Sequence, residues 1–305
     1  MKKDLLAAYL SLAAICLIWG TTYLALRIAV QHFPPFLFVL IRQTTAGFLL
    51  AGFMIVIAKV QLPSRDYIFR QAIAGFFMIS MGNGLVAWAE MYVPSGVAAI
   101  ICSLMPMIVI LLNLAVNKEE RPTFPIIAGV LIGLVGIIMI FSEHLSDFGK
   151  VEYQIGIALI FLAVLSWAAG SVWMKKRSGE GNPFLNAGLQ MFFGGLWLTP
   201  ITFLFDDLTT VSWSSEAVYS MIYLIIFGSI IAYACYSYAL RKLPMTIVSL
   251  YAYVNPIVAV ILGWIILDEK LNSKIWLAIL ITVGGIYIVN RGAQLRSAWK
   301  AQFSK

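Results

Sequence analysis

The sequence predicts an all-α integral membrane protein, with ten transmembrane helices built as two inverted five-helix repeats. Three observations predict it. Apolar residues make up 61% of the 305 and charged residues 11%, where a soluble domain carries about 45–50% and about 25%, so the surface suits lipid rather than water. Ten apolar stretches are long enough, at about 20 residues, to cross a ~30 Å hydrocarbon core. Landmarks of the first half also recur in the second about 150 positions later.

The stretches are 8–30, 36–58, 69–91, 96–116, 124–142, 154–174, 184–205, 217–239, 246–267 and 274–290. No loop between them exceeds 11 residues, which leaves no room for a soluble domain. Lys2 and Lys3 before the first stretch imitate a signal peptide. Its apolar length and the nine spans that follow make it a helix instead. Lys and Arg set the orientation. With the N-terminus inside, inner tails and loops hold 16 of the 21 basic residues and outer loops hold three: Lys150, Lys270 and Lys274. Arg27 and Arg42 lie within spans. Both termini are therefore expected in the cytoplasm. The formal charge of +7 reads as this loop bias, and no nucleic-acid partner is expected.

Rare residues exclude other classes. Cys16, Cys102 and Cys235 sit in apolar runs without a CxxC, and His32 and His144 are the only histidines. They make no metal-binding set, and no Walker A loop is present. Neither a cofactor nor an ATP motor is expected. Gly82-Asn83-Gly84 follows no strand, so it reads as close helix packing or a bend rather than a dinucleotide loop.

The repeat is carried by Pro94 and Pro244, by Pro106 and Pro256, by Glu120 and Glu269, by Gly136 and Gly285, and by Leu17-Ile18-Trp19 against Leu165-Ser166-Trp167. Residues 1–149 form the first five-helix repeat. Residues 150–305 form the second, with a short cytoplasmic tail. Five spans is an odd number, so the second copy runs upside down: the Glu120 loop falls inside and the Glu269 loop outside. Inverted repeats around a midplane site are the pattern of secondary transporters.

Several motifs then fall in a telling order: Ile18-Trp19-Gly20-Thr21-Thr22-Tyr23, Pro34-Pro35, Arg42, Gly82-Asn83-Gly84, Pro94-Ser95-Gly96 and Tyr251-Ala252-Tyr253-Val254-Asn255-Pro256. Over essentially its whole length the chain resembles the EamA branch of the drug/metabolite transporter superfamily. The resemblance implies a ten-helix inner-membrane permease, often an exporter of amino acids or other small metabolites, and leaves the substrate open. Helix 7 has no arginine matching Arg42 of helix 2, so that charge belongs to one half only.

The candidate site follows from depth. Trp19 and Trp167 are repeat mates near mid-membrane, although Trp prefers the interface. They are candidate walls of a central cavity; plain helix packing or lipid contact is the competing reading. Pro106 and Pro256 lack an N–H and free the carbonyls of Cys102 and Ala252, which need a partner or a wet cavity. Asn83 and Asn255 are candidate polar contacts. Tyr233, Tyr236, Tyr251 and Tyr253 are candidate aromatic walls with hydroxyl tips. Tyr23, in the first motif, joins the substrate-binding candidates. Arg42 lies ~9 Å below the outer end of helix 2, where its charge needs an offset. An ion pair with Glu90, an anionic group on the substrate, or snorkelling would each supply one; Arg27, nearer a helix end, snorkels. Glu119, Glu120, Asp268 and Glu269 read as interfacial caps.

Gly129-xxx-Gly133 and Ala278-xxx-Thr282 are small-residue stripes that permit close helix approach. They serve either packing within the chain or a homodimer face.

The expected function is a carrier for a small neutral or zwitterionic metabolite, working by alternating access in the lipid bilayer without ATP. A lipid scramblase or membrane enzyme is the alternative, and a non-transporting receptor is a third. An enzyme should show a cluster of His, Asp or a Ser–base pair at one depth, and the sequence offers none, so none is expected. A phosphate cavity wants several bases at depth, and only Arg42 qualifies.

Overall fold

A computed structural model describes residues 2–93, 95–116, 123–141, 150–176, 181–267 and 273–303, and no strand occurs among them. The helices are numbered here in chain order. α1 is Lys2–Val30, α2 is Pro35–Ile57 and α3 is Arg65–Ala89. α4 is in two pieces, Ser95–Cys102 and Met105–Val116, and α5 is Phe124–Phe141. α6 is Val151–Lys176, α7 is Pro183–Phe205 and α8 is Ser215–Lys242. α9 is again in two pieces, Met245–Val248 and Tyr251–Leu267, and α10 is Ser273–Phe303. Six of these, α1, α2, α3, α6, α7 and α8, are long and apolar enough to cross a membrane, and shorter apolar runs lie in α5, α9 and α10. Large apolar side chains such as Val56, Phe203 and Leu204 stand more than 70% exposed, as a bilayer requires.

The two halves start their helices with the same chemistry. Pro35 opens α2 and Pro183 opens α7, each at a first-turn position where the missing N–H costs nothing. The Ser64 hydroxyl caps α3 by accepting from Tyr67 N at 3.3 Å, and its mate Ser214 caps α8 by accepting from Ala217 N at 3.2 Å. α2 has no local side-chain cap. Its Leu37 N–H donates instead to Asp206 Oδ2 at 2.6 Å. Burial pushes the Asp206 carboxyl above its ordinary value, opposed by the backbone N–H groups it accepts.

Packing follows the repeat. α1 lies against α8 and α9, while its mate α6 lies against α3 and α4. The mates α2 and α7 pair with each other, as do α5 and α10. The α5–α10 contact is made at small residues. An added Cβ would lie 2.7 Å from the Gly285 carbonyl oxygen at Gly129, and 2.7 Å from the Ala278 carbonyl oxygen at Gly136. Gly129 therefore packs on Gly285 of α10, and Ala278 on Gly136 of α5, within one chain.

α3 and α8 share a further feature that the sequence did not announce. Each widens into a π-helical stretch, Phe76–Asn83 in α3 and Leu224–Ile231 in α8, with starts 148 residues apart (224 − 76). The i→i+5 pairing of a π-helix disturbs the ladder locally, and such stretches gather at functional sites. Glu119, Glu120, Asp268 and Glu269, expected as interfacial caps, lie outside the described residues.

Candidate functional site

The π-helical stretches flank a cavity of about 110 Å³. α1 presents Trp19, Thr22, Tyr23 and Leu26 to it. That spacing of i, i+3, i+4 and i+7 is one helical face, about 10 Å long. α2 adds Arg42 and Gln43, α3 adds Gly82 and Asn83, and α6 adds Trp167. α8 contributes Gly228, Ser229 and Tyr233, and α9 contributes Tyr251, Ala252 and Asn255.

One wall is aromatic. Trp19 and Trp167 meet edge to face, with ring centroids 5.6 Å apart and planes at 85°. Tyr251 stands 4.8 Å from Trp19, and Tyr233 stands 6.0 Å from Trp167. Edge-to-face geometry at these separations is favourable for π-systems. The Trp19 indole N–H is fixed by donation to the Gly228 carbonyl at 3.0 Å, which ties α1 to the π-helical stretch of α8. Tyr236 supports the rings from behind, its hydroxyl 2.6 Å from Ser171 Oγ. Tyr236 and Tyr253, expected as cavity walls, are not among the lining residues. Tyr253 donates to the Val130 carbonyl at 2.8 Å and so ties α9 to α5.

Other lining residues are polar. Arg42 is 5% exposed, and its Nε donates to Ser229 Oγ at 2.9 Å. It has no other hydrogen-bond partner and no ion pair among the described residues. The expected pair with Glu90 is therefore not formed. Both Glu90 carboxylate oxygens are buried without a hydrogen-bond partner. The physical reason is azimuth: Arg42 turns toward the neighbouring α8, and burial also excludes snorkelling. Gln43 Oε1 is buried and unpartnered beside it. Asn83 also makes no side-chain hydrogen bond to the described residues.

The prolines shape the site without lining it, which corrects their expected place on the wall. In α4 the helix breaks at Ser103–Leu104, and Pro106 stands in the first turn of the second piece, where its ring is tolerated. In α9, Pro256 is internal and frees the Ala252 carbonyl. The Ser103 hydroxyl of α4 shares its one proton between that carbonyl at 2.9 Å and the Ala99 carbonyl at 2.8 Å. Asn255, with its amide turned to satisfy its neighbours, donates to the carbonyls of Tyr251 at 2.9 Å and Cys16 at 3.1 Å. It therefore fastens α9 to α1 as well as facing the cavity.

Trp19, Tyr23, Arg42, Asn83, Trp167, Tyr233, Tyr251 and Asn255 are thus brought together, while Pro106, Pro256 and Glu90 are not. Ser229, Gln43 and Thr22 escaped sequence reasoning. Gly228-Ser229 does echo Gly82-Asn83 at an offset of 146 (228 − 82), a signal that would have found Ser229.

This arrangement has relatives. The model of the EamA-like transporter family matches residues 6–142 and again 154–291. An uncharacterized inner membrane transporter of Escherichia coli (strain K12), YedA, is 32% identical over 295 residues, covering 96% of this chain and 94% of its own. The protein PecM of Dickeya dadantii (strain 3937) is 29% identical, with 89% and 88% covered. A crystal structure at 19% identity superposes with a TM-score of 0.78 over 94% of this chain and 97% of the other, which extends the likeness to the fold. With the family model matched in both halves around a polar and aromatic cavity, the chain belongs to the EamA-like transporter family and is a membrane transporter.

Proposed function

We propose that the chain is a secondary carrier that exports a small carboxylate-bearing metabolite, an amino acid or a related zwitterion, by alternating access around this cavity. On this reading ten helices cross the inner membrane and both termini face the cytoplasm. One observation carries the substrate class. A buried guanidinium stands at the cavity wall, and its one hydrogen bond among the described residues goes to a neutral hydroxyl. A charge taken out of water needs a counter-charge, and Arg presents a planar fork that matches a carboxylate. The aromatic side chains of the same cavity suit the other end of a zwitterion, because an ammonium is attracted to the face of Trp or Tyr. A single Arg brings one positive charge against the roughly −1.5 to −2 of a phosphate group.

Uptake of radiolabelled amino acids into liposomes holding the purified protein tests the reading. Saturable, counterflow-dependent uptake is expected for a subset of them. Absence of such uptake for every amino acid and related carboxylate tried would overturn it. Within the responsive subset, Trp19→Ala removes an aromatic wall and its bond to Gly228. It should weaken binding by roughly 1–3 kcal/mol. Trp276→Ala, at a ring 48% exposed on the outer surface of α10, should leave affinity unchanged.

A further inference from the structure

A second pocket lies where the first turns of α3 and α7 meet the last turns of α6 and α8. Arg70 and Gln71 enter it from α3, Asn186 and Gln190 from α7, and Ser237 and Arg241 from α8. Two arginines line it and, among the described residues, no carboxylate does. Ser237 is 3% exposed, and its Oγ has no hydrogen-bond partner on that wall. Arg241 is held in place by donation from Nη1 to the Gly181 carbonyl at 2.7 Å.

This pocket is separated from the central cavity by very little. The Tyr233 hydroxyl, on the central wall, donates to Gln190 Oε1 at 2.8 Å. Gln190 Nε2 donates in turn to Gln71 Oε1 at 2.6 Å. All three side chains are buried. Ser237 stands one turn along α8 from Tyr233, about 6 Å. A buried hydrogen-bonded relay thus runs from one cavity to the other.

We propose that this pocket is an antechamber of the transport path: a second subsite that receives the carboxylate of the same substrate near Arg70 and Arg241, with the Tyr233–Gln190 bond as the partition to the central cavity. The proposal rests on the carrier reading given above. The charge bias of the loops puts this end of the helices at the cytoplasmic face. An exporter loads its substrate there. Two cations in a narrow cleft concentrate anions and hasten their entry by about tenfold or more. The substrate then meets the relay, and its passage exchanges the Gln190–Tyr233 bond for contacts with Tyr233 and Arg42 beyond it.

Thiol chemistry tests this without knowledge of the substrate. Cys16, Cys102 and Cys235 are replaced by Ala, and Ser237→Cys is introduced. Membrane-impermeant methanethiosulfonates bearing either a sulfonate or a trimethylammonium group are applied to inside-out and right-side-out vesicles. Rates are normalised to the reaction of each reagent with a free thiol in solution. The expected result is reaction from the cytoplasmic face only, with the sulfonate reagent favoured about tenfold or more. Arg70→Gln with Arg241→Gln should abolish that preference. Tyr233→Phe should speed modification of Ser229→Cys, in the central cavity, from the same face. Ala74→Cys, on the α3 wall of the pocket, serves as a second reporter. Equal rates for the two reagents, reaction from the outer face, or no reaction at either reporter would overturn the proposal. Substrate uptake by the cysteine-free protein is measured in parallel. Active uptake with charge-blind labelling removes the antechamber alone. Charge-selective labelling in a protein that transports no carboxylate removes the carrier reading, and with it the pocket's role.

Discussion

Arg42→Gln should abolish transport of a carboxylate-bearing substrate while leaving the protein folded. The wild-type guanidinium is buried beside Ser229 with no anion of its own, so its removal strands no counter-ion. The neutral amide also lowers the cost of burial, and the lost hydrogen bond to a neutral hydroxyl is worth about 1–3 kcal/mol at most. Thermal unfolding of the detergent-purified variant should therefore lie close to wild type. The substrate loses far more. Truncating one partner of a buried charge pair costs about 2–5 kcal/mol, roughly 30-fold or more in Kd. Low folded yield with residual transport would contradict this, because it is the signature of a structural ion pair. Glu90→Gln should not rescue the variant, since the two side chains do not meet.

Gly47→Val should destabilise the protein by about 3 kcal/mol or more, or prevent it from folding. α2 and α7 pack backbone against backbone at this point. A Cβ at Gly47 would lie 2.6 Å from the Gly188 carbonyl oxygen and 2.6 Å from Phe192 Cα. Backbone atoms cannot swing aside as a flexible side chain can, so relief requires parting the helices, and overpacking of that kind sits at the upper end of its usual cost. Parting them also moves Arg42, little more than one turn away on α2. Gly52→Val is the matched control, because an added Cβ there meets nothing within 4 Å. It should stay within about 0.5 kcal/mol of wild type. Equal loss of folded yield in the two variants would contradict the close crossing.

What was legible in the sequence divides along physical lines. Long apolar runs announce helices, because the cost of lipid acts on composition. Repeat offsets announce which residues are mates, so the meeting of Trp19 with Trp167 was readable from their positions. Proline announces a freed carbonyl, and the Ala252 carbonyl was readable even though its donor, Ser103, was not. Helix azimuth is harder to read in a chain that is apolar all round, because the hydrophobic stripe that would orient each helix is missing. That is why Arg42 was assigned to Glu90 as one option when it faces Ser229. The break in α4 was displaced for a related reason: Pro106 is as acceptable at the start of a helix as it is disruptive inside one. The π-helical stretches have no residue signature at all, since one extra residue in a turn changes hydrogen-bond register without changing composition.

The most direct test of the central claim compares two ligands on two proteins. The ligands are a transported amino acid and its carboxamide, which differ only in the negative charge. The proteins are wild type and Arg42→Gln, each purified, with Kd measured for all four combinations. If Arg42 grips the carboxylate in the central cavity, wild type should prefer the acid by roughly 30-fold or more, and in the variant the preference should fall to near unity. An undiminished preference for the acid in Arg42→Gln would place the carboxylate elsewhere and contradict the account.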